Sequence, residues 1–177
     1  MNELVEAKYQ RMHTDYYREC GMIMDMLNFI EIQMSKFLSN VLCKQEYKEV
    51  FERFVMYDSL TFDKKKLLFT NLKSKGLLKE YEPYKKIGGD LEYIQKLRNK
   101  MAHAVLLTDQ SAVNSYDGSK FMLISFSGVN GPEKIEYNIS QAAENPDKHI
   151  FAKDGVIERA ERLKDWFDKS LSKSNMI

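Results

Sequence analysis

The chain has 177 residues, of which 44% are hydrophobic and 30% charged, and its formal net charge is +1. This length accommodates one ordinary domain with a hydrophobic core, and the composition excludes an intrinsically disordered chain. The near-zero charge argues against a broad basic surface for long nucleic acids, but it is compatible with a local site for one or two phosphates.

Neither a membrane segment nor a metal site is indicated. No apolar run approaches the roughly 18 residues needed to cross a bilayer, and the first residues are acidic rather than signal-like, which predicts a cytoplasmic protein. Cys20 and Cys43 lie in helical patterns, and neither has a partner at metal-ligand spacing. We therefore expect buried thiols, no disulfide, and no metal or other cofactor.

The first quarter of the chain is predicted to be helical. Residues 3–19 have a helix-favouring composition without proline, and Gly21 is expected either to break the helix or to join two helices at an angle. Residues 22–42 show the strongest helical periodicity of the chain, which predicts a central core helix.

Two more helices are predicted in the next third of the chain. The first spans residues 44–57, and four residues form its expected buried face: Val50, Phe51, Phe54 and Val55. The second spans residues 64–75 and ends at Lys75-Gly76, and three residues form its expected buried face: Leu67, Leu68 and Leu72. The run Lys64-Lys65-Lys66 is expected to be a solvated face, with the steering of RNA as the alternative.

A loop at residues 79–90, with Pro83 and Gly88-Gly89, leads into a helix that is predicted to end near Thr108. Asp90 is expected to be the N-cap of this helix. Five apolar residues fall within one arc of about 120° and form the predicted buried stripe: Leu91, Ile94, Leu97, Met101 and Val105.

The last third of the chain changes character. Residues 109–119 are polar, and β-prone runs at 121–126 and 135–139 predict a hairpin. The hairpin loop is expected at 128–132 and a further turn at 145–147. A final amphipathic helix follows, with six residues on its buried face: Val156, Ile157, Ala160, Leu163, Trp166 and Phe167. The predicted fold class is therefore mainly α, with a C-terminal β-hairpin and a final helix.

Three polar residues of the predicted 90–108 helix point to chemistry. Arg98 borders the buried stripe, and Asn99 and His103 lie farther around the helix, with His103 about 140° from Arg98. The small side chain of Ala102 leaves a shallow notch, in which a phosphate fits between a guanidinium and an imidazole. Glu31 lies beside the apolar face of its own helix and needs a donor, either a lysine or one of Arg98 and His103.

The pattern Arg-Asn-x-x-x-His on a helix resembles the signature of the HEPN superfamily (higher eukaryotes and prokaryotes nucleotide-binding). In that signature about four to six residues separate an arginine from a histidine, and a polar residue often follows the arginine. Arg98, Asn99 and His103 match the pattern. Some toxin members of the superfamily carry a tyrosine two residues after the histidine, where this chain has Val105.

The resemblance also implies a domain organisation. It extends less sharply over residues 20–110. Because the length of the chain predicts one domain, we expect a single HEPN-like domain over residues 1–177. In that domain a helical bundle of about five to six helices occupies residues 1–110. Residues 111–177 are an elaboration that the resemblance does not cover.

These residue types are suited to metal-independent cleavage of RNA, because RNA carries its own nucleophile, the 2′-OH. His103 is suited to proton transfer and Arg98 to holding phosphate oxygens, whereas Asn99 is one turn from His103 and can orient the imidazole or bind substrate. The products would be a 2′,3′-cyclic phosphate and a 5′-OH. The other histidines, His13 and His149, have no such neighbours.

The expected function is therefore a metal-independent endoribonuclease, for example a toxin or phage-defence effector with an antitoxin or sensor protein as partner. One histidine cannot act as base and acid in a single turnover without moving. The resemblance implies a homodimer in which two motifs face one cleft. The alternatives are a non-catalytic HEPN module that binds RNA, a nucleotide or a partner protein, and a helical dimerisation scaffold.

Overall fold

The computed structural model describes residues 3–79, 81, 85–126, 131–139 and 150–174. Its α-helices are α1 (Glu3–Leu42), α2 (Lys48–Phe51), α3 (Phe62–Ser74), α4 (Ile87–Ala102), α5 (Gln110–Ser115) and α6 (Lys153–Ser174). Its strands are β1 (Ala104–Leu106), β2 (Lys120–Ser125), β3 (Glu133–Asn138) and β4 (Ile150–Ala152). The prediction of a mainly helical fold is confirmed. In this part of the chain no helix is long and apolar enough to cross a membrane.

The chain divides into two compact units, each assembled from segments that are distant in the sequence. The first unit contains Met1–Met26 and Lys96–Arg159, and the second contains Leu27–Gln95 and Ala160–Ile177. Residues 96–110 belong to the same unit as the four strands. The helical bundle over residues 1–110 stays a prediction.

The N-terminal segment is one uninterrupted helix, α1, and the expected break or bend at Gly21 is wrong. Gly21 is exposed, and a Cβ atom built on it would have no neighbour within 4 Å. Nothing around this position requires a glycine, so the helix-favouring residues on both sides continue through it.

The predicted stop at Lys75-Gly76 is confirmed. Gly76 has a φ of 71°, in the left-handed region that favours glycine. The N–H of Leu77 donates to the carbonyl of Leu72 over 3.0 Å, and the N–H of Gly76 donates to the carbonyl of Lys73 over 3.0 Å. These two bonds are those of a Schellman motif, which satisfies the last carbonyls of α3.

The two glycines are expected to respond to alanine in opposite directions. Gly76→Ala should lower the free energy of unfolding by about 1–2 kcal/mol, because the new Cβ disfavours positive φ. Gly21→Ala should raise it by about 0.5–1 kcal/mol, because the alanine loses less backbone entropy in a helix. Urea denaturation of both variants beside the wild type measures the difference. Equal shifts for the two variants would contradict this account of both positions.

The second unit has an aromatic core centred on Phe37. The Phe37 ring centroid lies 5.0 Å from that of Trp166, 5.8 Å from that of Phe69 and 5.8 Å from that of Phe167. Phe37 and Phe167 are fully buried and Trp166 is 8% exposed. The apolar faces predicted for residues 22–42 and for the final helix are therefore confirmed here, and the single tryptophan is a core residue as expected.

The lysine run is not a uniformly solvated face, and that expectation is wrong. Lys64 is exposed, but Lys65 is 1% exposed and its Nζ lies 2.8 Å from Oε1 of Glu31. Lys66 forms an ion pair with Glu92. Heptad-like spacing explains the burial, since four buried residues of α3 share one face: Phe62, Lys65, Phe69 and Leu72. Leu67, predicted to be buried, lies off that face and is 60% exposed.

Residues 45–57 are helical, as predicted, but irregular. A 3₁₀ turn (Gln45–Tyr47) precedes α2 and a π-helical segment (Glu52–Tyr57) follows it. The expected buried face is wrong, because Val50 is 61% exposed and Phe54 57% exposed. Each wider or tighter turn changes the rotation per residue, so a constant period of 3.6 residues does not hold through this segment.

Both ends of α4 differ from the prediction. Asp90 is not an N-cap but lies in the first turn, where its carboxylate accepts two hydrogen bonds from Arg162, Nε at 3.0 Å and Nη2 at 3.1 Å. The helix ends at Ala102 rather than near Thr108. Val105 was expected in the buried stripe but belongs to β1 and is 57% exposed. Pairing with β2 outweighs the helical pattern at this point, because β-branched residues suit a strand.

The four strands form one sheet in the order β1-β2-β3-β4 within the first unit. β2 and β3 are antiparallel, as the predicted hairpin requires, whereas β4 is parallel to β3. The polar segment 109–119 contains α5, whose N-cap Asp109 accepts a bond from the N–H of Ala112 over 2.8 Å. The described residues do not include most of the predicted hairpin loop, the predicted turn at 145–147 or His149.

Stacked rings cover the inner side of this sheet. Phe121 lies between Tyr116 and Tyr137, with centroid distances of 5.8 and 6.2 Å and interplanar angles of 11°. Tyr16 of α1 meets Phe121 edge-on at 5.9 Å. This offset and edge-on packing of aromatic rings forms the core of the first unit.

Both cysteines have free thiols, and they are half-buried rather than buried. Partial burial raises the pKa of the Cys20 thiol, and the neighbouring Glu19 carboxylate acts in the same direction, against a hydrogen bond with Tyr16. Cys20 is therefore held as a neutral thiol with low nucleophilicity.

Candidate functional site

The last turns of α4 and the residue after it line a shallow, open depression of about 430 Å³. Its lining residues are Lys96, Asn99, Lys100 and His103. They are spaced by three, one and three residues, so they share one face of the helix. The structure thus brings together two of the predicted site residues and adds two lysines that the sequence analysis missed. The signal is present in the sequence, because Lys96 and Lys100 lie three residues before Asn99 and His103 and so share their face of the helix.

Lys100 is anchored at the edge of the depression. Its Nζ lies 3.3 Å from both carboxylate oxygens of Glu133 on β3 and 5.4 Å from the centroid of the Phe151 ring. The Lys100 side chain is 21% exposed. An anion in the depression would therefore meet a cation whose position is already set, and it would compete with Glu133 for it.

The helix end itself opposes anion binding, because the C-terminal end of a helix carries partial negative charge. The positive charges of Lys96 and Lys100 act against that effect within the same two turns. A phosphate is thus favoured here by side chains rather than by backbone N–H groups.

His103 lies just beyond α4 and is exposed. Its N–H donates to the carbonyl of Lys100 over 3.3 Å, and its own carbonyl accepts a bond from the N–H of Phe126 over 3.3 Å. The backbone of His103 is therefore held between α4 and the continuation of β2, while the imidazole is open to solvent.

Arg98 does not line the depression. It precedes Asn99 by one residue, which places it about 100° around the helix, and its side chain is half-buried. The roughly 140° separation from His103 expected on the wheel is consistent with this placement. The depression lies on the lysine side of the helix, and the notch between Arg98 and His103 stays a prediction.

Glu31 belongs to the second unit, whereas the motif residues belong to the first. Of the two donors expected for Glu31, the lysine is present, because Nζ of Lys65 lies 2.8 Å from its carboxylate. The Lys65 side chain is 2% exposed and that of Glu31 is 19% exposed, so this is a buried ion pair rather than a surface one. A supporting role of Glu31 toward the motif stays a prediction.

Among the described residues of the first unit, His13 is the histidine that lies outside the depression. His13 is half-buried, and its ring centroid lies 4.4 Å from that of Tyr9 and 5.9 Å from that of Tyr17, which is an aromatic packing role. Among all the described residues, no group of three or more histidine, cysteine, aspartate or glutamate side chains is placed to hold a metal ion.

Comparison of the chain with protein-family models, with curated proteins and with solved structures found no match. Two features of the chain therefore indicate a function: the residues that line the depression and the Arg98-Asn99-x-x-x-His103 pattern.

Proposed function

We propose that the chain is a metal-independent endoribonuclease of the HEPN type. The observation that carries the proposal is the convergence of Asn99 and His103 with Lys96 and Lys100 on one solvent-open depression. This set combines a proton-transfer group, an amide and two cations. These are the groups that cleavage of an RNA phosphodiester through its own 2′-OH requires.

In the proposed reaction His103 removes the proton of the 2′-OH. The 2′ oxygen forms a bond to phosphorus, the bond from phosphorus to the 5′ oxygen breaks, and the 5′ oxygen receives a proton from an acid. Lys96 and Lys100 balance the charge on the phosphate oxygens, and the Asn99 amide binds a phosphate oxygen. The products carry a 2′,3′-cyclic phosphate and a 5′-OH.

The acid in this scheme is His103 of a second copy, which makes a homodimer part of the proposal. One imidazole that has just accepted a proton on one side of the phosphorus is poorly placed to protonate the oxygen that leaves on the opposite side. Arg98 keeps the phosphate-binding role that the motif implies, on a part of the helix outside the depression of its own chain.

A second candidate function is a non-catalytic module that binds RNA or a nucleotide. One observation favours it: among the described residues, no side chain hydrogen-bonds the His103 imidazole and sets its orientation. Catalytic histidines are usually oriented by such a partner. In the module the same depression binds phosphate, but no bond is broken.

Cleavage of RNA by the purified protein in EDTA tests the proposal. We expect total cellular RNA to be cut to fragments with 2′,3′-cyclic phosphate ends, and Arg98→Ala to lower the rate with the fold retained. Once a cleaved oligonucleotide is found, a matched copy with a single 2′-deoxy nucleotide before the scissile phosphate is the control. It should resist cleavage, because the nucleophile is missing. Cleavage of both copies at the same rate would contradict the proposed chemistry, and binding without cleavage would favour the module.

A further inference from the structure

The strand that follows His103 continues the candidate site onto the sheet. In the register of β1 and β2, Val105 lies opposite Ile124. Two further bonds extend the ladder, from the N–H of Phe126 to the carbonyl of His103 over 3.3 Å and from the N–H of Leu107 to the carbonyl of Met122 over 2.8 Å. Both fit the same antiparallel register, so His103 and Phe126 are directly opposite each other.

Residues opposite each other in an antiparallel pair point to the same side of the sheet. One side is buried, since Leu106, Leu123 and Ser125 are at most 7% exposed. The other side, called here the outer face, carries four residues of these strands: His103, Val105, Ile124 and Phe126. Val105 is 57% exposed and Phe126 is 61% exposed.

His103 therefore belongs to two surfaces at once. It lines the depression together with Lys96 and Lys100, and its backbone pairs with that of Phe126, whose side chain is exposed on the outer face. Lys134 of β3 lies opposite Ile124 and is exposed. A ligand that contacts both surfaces needs an anionic group joined to a flat apolar group. A nucleotide has this composition, with a phosphate for the depression and a base for the ring.

We propose that Phe126 stacks on an unpaired base of the RNA next to the phosphate held at the depression, and that this contact sets the base preference of the site. The inference depends on the proposed function for the identity of the ligand. Aromatic rings exposed on a sheet are a recurrent means of binding unstacked bases in single-stranded RNA. A base buries the ring without requiring a second folded surface.

The size of the apolar surface favours a base over a protein partner. Phe126 and Val105 are the strongly exposed apolar residues of the outer face, and each is already partly covered. A large aromatic side chain buries about 150–250 Å² at most. Two such residues fall well below the roughly 800 Å² per partner of a stable protein interface.

Cleavage kinetics of Phe126 variants are the first part of the test. On oligonucleotides that vary at the nucleotide beside the cleaved bond, Phe126→Ala is expected to lower kcat/KM by about 5- to 150-fold and to flatten the base preference. Phe126→Trp should keep kcat/KM and the base preference within about threefold of the wild-type values, since tryptophan retains a ring for stacking. Phe54→Ala, at a residue of the second unit that is 57% exposed, is the matched control and should change neither.

Binding to a protein that cannot cleave separates this inference from the proposed function. Oligonucleotides containing 2-aminopurine are titrated into His103→Ala and into His103→Ala with Phe126→Ala. Quenching of the base fluorescence in the first protein and its loss in the second support stacking even if the wild type proves inert as a nuclease. Unchanged affinity and quenching in the double variant overturn the inference. A Phe126→Ala protein that changes its oligomeric state but not its RNA binding also overturns the inference, because the outer face would then be a protein interface.

Discussion

Replacing His103 by alanine is expected to lower the rate of RNA cleavage by about 10²- to 10⁴-fold, the usual contribution of a positioned acid–base group. The substitution removes the proton-transfer group and leaves the lysines of the depression in place. Because His103 is exposed, the free energy of unfolding should change by no more than about 0.5 kcal/mol. Initial rates on one saturating oligonucleotide, beside thermal denaturation of both proteins, measure the two effects.

The control for His103→Ala is Lys96→Ala, which alters the same depression but removes a charge instead of a proton carrier. We expect Lys96→Ala to raise KM more than it lowers kcat, with a defect that shrinks as salt is added. A His103→Ala protein that cuts as fast as the wild type would contradict the catalytic assignment. The depression would then be a binding site.

Replacing Glu31 by alanine is expected to lower the free energy of unfolding by about 3–5 kcal/mol, because it removes the carboxylate paired with a buried cation. The Lys65 side chain is 2% exposed, and its Nζ lies 2.8 Å from Glu31 and 5.8 Å from the Tyr57 ring centroid. Lys65→Met should cost less, since the Glu31 side chain remains 19% exposed and partly hydrated. Denaturant unfolding at neutral pH measures both variants.

The matched control is the double variant Glu31→Leu with Lys65→Met, in which neither charge remains. Its stability should return close to that of the wild type, since replacing a whole buried pair with apolar residues is often neutral. The Glu31→Ala protein should lose RNA cleavage only in proportion to the fraction of the protein that is unfolded. Strong loss of cleavage with unchanged stability would contradict this account and support the role toward the motif first predicted for Glu31.

Helical periodicity predicted the parts of the fold whose cause is local. Residues 22–42 and the final helix carry long, regular apolar faces, and their central residues are buried as expected. The alternating residues of β2 and β3 predicted the hairpin, and Gly76 marked the end of α3 because few other residues tolerate its φ of 71°. In each case the residues that form the predictive pattern lie within one continuous segment of the chain.

The candidate site was predicted in part. Asn99 and His103 were placed on one side of their helix from spacing alone, and both line the depression. The depression also contains Lys96 and Lys100, which were not predicted, and Arg98 does not line it. Spacing on a wheel shows which residues share a face. It does not show which face is left open, because that depends on what packs against the helix.

Local periodicity and residue chemistry were sufficient to predict the mainly helical class, the main amphipathic helices, the hairpin and the pattern of Arg98, Asn99 and His103. Three further features follow from tertiary contacts: the end of α4 at Ala102, the burial of Lys65 and the pairing of His103 with Phe126. Each of these depends on a partner that is remote in the chain. The pairing of β1 with residues 123–125 outweighs the helical pattern after Ala102. The Glu31 carboxylate, 34 residues from Lys65 in the chain, offsets the cost of burying the lysine.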